Sequence, residues 1–204
     1  MDSKVLSLAF LLFVLCSVPV SWAEPGKNST IPVDRTVSEV VESGVHFAQS
    51  VQVGDVLLQL NGTGTRKATL LRVKVYAAAL YVSNKSPQPE TLLRLTTPSV
   101  VSMQFLRSVS AERLREGWKE GVLKNTSSSP ELVRALNQFN DAMRDVVDGD
   151  KVVLTLFPNE RVEVRIAGDA PVVIESTLFP MALLRVWLGS FPPNEDLKRG
   201  LLGR

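Results

Sequence analysis

Apolar and polar positions divide the chain beyond Gly44 into blocks of different period. Short runs rich in valine and leucine come first, over 45–48, 55–60, 70–82 and 100–108, and each has strand character. The period then lengthens. From Ser110 onward Leu114, Trp118, Gly121 and Val122 fall on one side of a helix, with Glu112, Arg115, Glu116 and Lys119 mostly elsewhere. Ser129-Pro130-Glu131 starts a second helix with a capping serine, a proline at the first helical position and an early acid. Its stripe is Leu132, Leu136, Phe139, Met143 and Val146-Val147.

Strand character returns after Asp148-Gly149-Asp150. A hairpin is predicted from 151–157 through the turn Pro158-Asn159-Glu160 to 161–166, where Val162, Val164 and Ile166 alternate with Arg161, Glu163 and Arg165. A strand over 172–175 follows, then an apolar helix over 178–188 broken only by Arg185, and a short helix over 194–202. Strands, then helices, then a hairpin and closing helices describe an α+β domain: an antiparallel β-sheet with a layer of helices packed on one face. The domain is placed at 44–204. The polar stretch 24–43, with Pro25, Gly26 and Pro32, is read as a flexible leader.

The first residues bear on compartment. Lys4, the apolar run Val5 to Leu15 and the small residues of Ser21-Trp22-Ala23 have the form of a signal peptide over 1–23, cleaved after Ala23. An uncleaved membrane anchor fits less well, because the apolar core is shorter than the roughly 20 residues a bilayer requires and Pro19 interrupts it. The expected location is the periplasm in a bacterium or the secretory pathway in a eukaryote, with no stable membrane anchor after cleavage. Cys16, the single cysteine, lies in this segment, so the mature chain has no thiol for a nucleophile or a thiolate metal site. Asn28, Asn61, Asn84 and Asn125 each begin an Asn-x-Ser/Thr triplet open to glycosylation in a eukaryotic pathway.

Composition is that of an ordinary globular protein: 204 residues, 45% hydrophobic and 22% charged. The 23 basic and 21 acidic residues are mixed along the chain, which argues against a nucleic-acid partner. His46 stands alone, so no metal site is expected, and no Gly-x-Ser-x-Gly motif is present. Gly62-Thr63-Gly64-Thr65-Arg66-Lys67 lacks the third glycine of a dinucleotide loop and the Gly-Lys-Ser/Thr ending of a nucleotide loop. A strand is instead expected to end at Asn61, and Gly62 and Gly64 to turn the chain and present Arg66 before the next strand. Facing inward, that guanidinium suits a carboxylate or enolate oxygen; facing outward, it is a solvated turn residue. Period two in the next strand puts Arg72, Lys74, Tyr76, Ala78, Leu80 and Val82 on one face and Val73, Val75, Ala77, Ala79 and Tyr81 on the other. The three alanines leave room either for a close helix or for a cleft beside Tyr76.

The run L-x-L-N-G-x-G-x-R, the strand V-K-V-Y-A-A-x-L-Y-V, the helix S-A-E-x-L-x-E-x-W and the C-terminal L-F-P-x-A-L-L-x-x-W-L-G-x-x-P-P-x-x-x-L-K-x-x-L-L-G together resemble the exported bacterial-type chalcone isomerase-like proteins. The resemblance spans roughly 44 to 203. It implies an open-faced sandwich with an apolar cleft between sheet and helices. It also implies that Arg66 matches the arginine that meets the substrate oxyanion in the plant enzymes. Their strand threonine aligns with Tyr76, their helix tyrosine falls near Arg113 or Leu114, and their C-terminal threonine or serine falls near Pro180. Noncatalytic members of the fold resemble fatty-acid-binding proteins. The expected function is binding of a small amphipathic ligand such as a fatty acid, with Arg66 as anion anchor, Tyr76 and Arg113 beside it, and no cofactor. The alternative is an isomerase (intramolecular lyase) acting on chalcone-like conjugated phenolic substrates, in which Arg66 is the catalytic group. A third possibility is a structural or partner-binding module.

Overall fold

A computed structural model describes residues 38–68 and 71–204. The expected signal peptide and the part of the expected leader up to residue 37 lie outside the described residues. Two short strands, β1 (Glu39–Glu42) and β2 (Val45–Ala48), form a hairpin of their own. The turn between them uses Ser43 and Gly44, both at positive φ. β1 lies within the stretch that the sequence pattern gives to the leader, yet it pairs residue for residue with β2.

The main sheet is an antiparallel meander of seven strands in chain order. They are β3 (Ser50–Val53), β4 (Val56–Ala68), β5 (Val73–Val82), β6 (Ser99–Phe105), β7 (Lys151–Phe157), β8 (Arg161–Ile166) and β9 (Val172–Glu175). In β8 the sequence alternation is realised directly, with Val162, Val164 and Ile166 buried. After β5 come α1 (Pro89–Leu92), then α2 (Ala111–Asn125) and α3 (Pro130–Asp141) between β6 and β7, and α4 (Phe179–Leu188) and α5 (Glu195–Leu201) at the end. Ser110 Oγ accepts from the Arg113 amide at 3.4 Å and Ser129 Oγ from the Leu132 amide at 3.2 Å, so both middle helices begin where their capping serines stand.

The sheet has a core on each face. On the helical side Met103, Leu154 and Val162 meet Leu136, Phe139, Leu183 and Trp187. On the other side Leu58, Ala77, Ala79 and Tyr81 meet Val45 and Phe47 of the small hairpin. Each large apolar side chain fully buried this way contributes about 1.5–3 kcal/mol. The alanines of β5 are therefore packed from both faces and leave no cleft at that point.

The glycine turn expected after Asn61 does not form. β4 runs unbroken from Val56 to Ala68 and turns back only beyond it. Neither Gly62 nor Gly64 has positive φ. Their function is close approach: a Cβ on Gly62 would overlap the Gly200 carbonyl, and one on Gly64 would lie 2.9 Å from the Leu197 carbonyl. α5 thus lies directly on the β4 backbone. Two register shifts shape this strand pair, one leaving Asn61 unpaired on β4 and one leaving Val75 unpaired on β5. Asn61 fills its bulge with a buried amide that donates to the Leu201 carbonyl at 2.7 Å and accepts from the Ser86 amide at 2.8 Å. The second bulge brings Val75 onto the helical face with Tyr76, where strict period two separates them.

Candidate functional site

Past the end of α5, on the helical face of β4, the sheet is no longer covered, and a cleft of about 400 Å³ opens. Its floor is Val73, Val75, Tyr76 and Phe105; one wall is the face of α2 that carries Gly117, Trp118 and Gly121; the far rim is Phe191, Pro192 and Pro193. The volume lies within the range usual for small-molecule sites, about 300–1,000 Å³. Space exists here for local reasons. No atom would meet a Cβ on Gly117, so this helix position is open to the cleft. Gly121, one turn later, lets Val186 of α4 approach the α2 backbone, as a Cβ there would lie 2.8 Å from Val186 Cγ1.

Arg66 borders this cleft, half-buried, with its guanidinium carbon 5.8 Å from the centre of the Tyr76 ring. That distance is within reach of a cation–π attraction. No carboxylate lies within ion-pair distance of Arg66 among the described residues. Its backbone is clamped from α5: the Lys67 amide donates to Asn194 Oδ1 at 3.1 Å, and Asn194 Nδ2 donates to the Thr65 carbonyl at 3.5 Å. One side chain at the α5 N-cap therefore grips both peptides that flank Arg66. The glycines do not aim the arginine by bending the chain; they admit the helix whose cap holds it.

Tyr76 is buried and supplies its ring to the cleft, while its hydroxyl accepts from Trp187 Nε1 at 3.0 Å. Burial pushes the phenol above its ordinary value, against smaller opposing effects of the Arg66 charge and the Trp187 bond. The hydroxyl's acceptor side is thus engaged by the core. Around it Tyr76–Phe105, Trp118–Phe139 and Trp118–Trp187 make edge-to-face pairs with centroids 5.3–5.6 Å apart. Trp118 Nε1 is buried with no hydrogen-bond partner among the described residues.

Arg113 is exposed and reaches the same cleft from the first turn of α2, so the structure brings Arg66, Tyr76 and Arg113 together. It adds Arg107 and Lys124, which sequence reasoning does not single out. Lys124 bonds Glu120 at 2.5 Å, and this contact holds the Glu120 carboxyl below its usual range. Four cations against one carboxylate make the cleft positive. Helical spacing contains part of this signal, since 113, 117, 120 and 124 repeat at three and four residues. Arg107 carries none, because its position beside α2 follows from the end of β6. His46 lies elsewhere, with Nδ1 2.8 Å from Glu39 Oε2 across the small hairpin.

Of the glycosylation triplets, Asn84 is exposed. Asn61 and Asn125 have their amide nitrogens engaged, Asn125 with the Gly121 and Phe191 carbonyls at 2.9 and 3.0 Å. A glycan at either position is incompatible with these contacts. Asn28 lies outside the described residues.

The crystal structure of an Arabidopsis thaliana fatty-acid binding protein has the same fold, with a TM-score of 0.66 and 21% sequence identity over 81% of this chain and 96% of that one. No curated protein matches the sequence. The family described as chalcone isomerase-like matches residues 39–203, from the first strand of the small hairpin to the end of the chain's last helix and beyond. With that match and this fold, the chain belongs to the chalcone isomerase-like family.

Proposed function

We propose that the cleft binds a small amphipathic carboxylate such as a fatty acid, with the carboxylate on Arg66 and the tail over Val75, Phe105 and Trp118. The observation that carries this reading is a half-buried guanidinium at an apolar cleft with no carboxylate partner among the described residues. Such a group is stabilised by an anion brought in from outside, and a planar fork suits a carboxylate. Each tail methylene buried adds about 0.8 kcal/mol. The fatty-acid binding protein that shares the fold supports the same class of ligand.

The isomerase alternative places Arg66 on a developing enolate of a phenolic substrate. It requires hydroxyls to orient that substrate; the Tyr76 hydroxyl accepts from Trp187 and keeps its own proton to donate, and Ser108 borders the same cleft. The N-terminal segment supports export, to the periplasm or the secretory pathway; a secreted product beginning at Glu24 is the corresponding measurement. For binding, a fluorescent acyl acid and its methyl ester are titrated into the protein and into Arg66→Ala. The acid loses at least tenfold in affinity on substitution, and the ester changes little. Equal loss for both, or no acyl binding by the parent protein, overturns the reading. Arg66-dependent turnover of a chalcone would replace it with the enzymatic one.

A further inference from the structure

We propose that the mouth of the cleft docks reversibly on an anionic lipid bilayer, so that an amphipathic ligand passes directly between membrane and cleft. This rests on the ligand-binding reading for its purpose but on separate residues for its physics. Three cations border the opening besides Arg66: Arg107, Arg113 and Lys124. Only Lys124 has a carboxylate partner, Glu120, among the described residues. The other acids of α2, Glu112 and Glu116, do not border the cleft. The rim is therefore net positive although the chain as a whole carries only +2.

A fixed aromatic stands within this positive rim. Phe191, on the far rim, is 62% exposed. Its backbone is nevertheless held at both ends by one side chain: the Phe191 amide donates to Asn125 Oδ1 at 2.9 Å, and Asn125 Nδ2 donates to the Phe191 carbonyl at 3.0 Å. Gly189 makes room for this clasp, since a Cβ there would overlap Asn125 Oδ1. Pro192 and Pro193 stiffen the segment further. Leu71, two residues before Val73 of the cleft floor, is 85% exposed.

Isolated apolar side chains on a cationic rim suit a bilayer surface, where rings insert at headgroup depth and basic residues meet anionic lipid. A stable protein interface requires a larger continuous apolar patch than these single residues provide. The position also matters chemically: an acyl chain released at this opening would leave the protein beside Phe191, directly into the leaflet.

Co-sedimentation of the full chain with vesicles of phosphatidylcholine, alone or mixed with an equal part of phosphatidylglycerol, tests the proposal without added ligand. The chain beginning at Glu24, which lacks the apolar run from Val5 to Leu15, is sedimented beside it, so that neutral and mixed vesicles are compared without that segment. Preferential binding to the mixed vesicles is expected, falling as salt is raised. Arg107→Gln is expected to weaken it about fivefold and Phe191→Ala about tenfold, and Arg107→Glu more than Arg107→Gln. Acyl-probe titration without vesicles is read separately, so loss of one property is distinguishable from loss of the other. Equal binding of the chain beginning at Glu24 to neutral and anionic vesicles, unchanged binding by all three variants, or binding to an acidic polypeptide but not to vesicles, overturns the proposal.

Discussion

At the scale of single residues, the molecule is governed by groups placed against what is usual for their type. Gly62 and Gly64 sit inside a strand, where glycine is normally unfavourable, because the α5 backbone occupies the space a side chain would need. Gly62→Ala and Gly64→Ala are each expected to destabilise the fold by about 1–3 kcal/mol, read as a lower urea midpoint with little change in slope. Gly62→Ala is the more severe, since its Cβ meets backbone on every side. The chain's two tyrosines are a second case. Both are buried, Tyr81 at 2% exposure with its phenol pushed up to about 12 by burial, and Tyr76 raised by the same cause. The unfolded phenols ionise near 10 while the folded ones stay neutral, so the unfolded state binds fewer protons above that pH. Stability is fully present below about pH 10 and declines as pH rises from there toward 12, by about 2 kcal/mol for Tyr81. Phenolate absorbance measured in native protein and in urea checks this: the native curve stays flat where the denatured one rises.

At the scale of elements, α2 and α5 define the site in different ways. α2 offers the cleft a glycine, Gly117, beside which a Cβ would meet open space and no packed neighbour. Gly117→Leu is therefore expected to leave the fold intact, and to strengthen the helix by up to about 1 kcal/mol, while reducing acyl-probe affinity at least tenfold. Thermal melts and probe titration on the same sample separate the two effects; a parallel loss of both would show that Gly117 serves packing. α5 acts through Asn194, and Asn194→Ala should weaken acid binding severalfold while barely changing affinity for the methyl ester. These elements also show what the sequence makes legible. The β7–β8 hairpin and both capped helices follow from alternation and capping serines a few residues apart. The continuity of β4 does not, because the reason for Gly62 and Gly64 lies more than 130 residues away in α5. Local reading takes paired glycines for a turn, and only the tertiary contact reveals a strand. Val75 is misplaced for a related reason: a bulge breaks the period that the pattern assumes. Arg66 and Tyr76 are legible as candidates from residue type, whereas Arg107 enters the site through chain geometry alone.

At the scale of the whole molecule, the described residues belong to one compact unit with a core on each face of the sheet, and the cleft interrupts only the helical core. Trp118 and Phe105 belong both to that core and to the cleft wall. A ligand seated there consequently reports on global folding and not on a detached loop. Binding to the native state alone stabilises it by RT ln(1 + [L]/Kd), about 2.7 kcal/mol when free ligand stands at a hundred times Kd. For a domain of this size each kcal/mol moves Tm by roughly 2–4 °C, so a saturating fatty acid is expected to raise Tm by about 5–10 °C. With the acid at the same concentration a tenfold loss of affinity leaves about 1.4 kcal/mol, so Arg66→Ala and Gly117→Leu should each shift by at most about 3–6 °C. The unliganded melts of all three should remain close together, because neither substituted side chain is needed by the core. A Tm that rises equally in parent and Arg66→Ala protein would place the acyl group away from the guanidinium. Absence of any rise with saturating acid, in a protein that melts cooperatively, would leave the cleft without this guest.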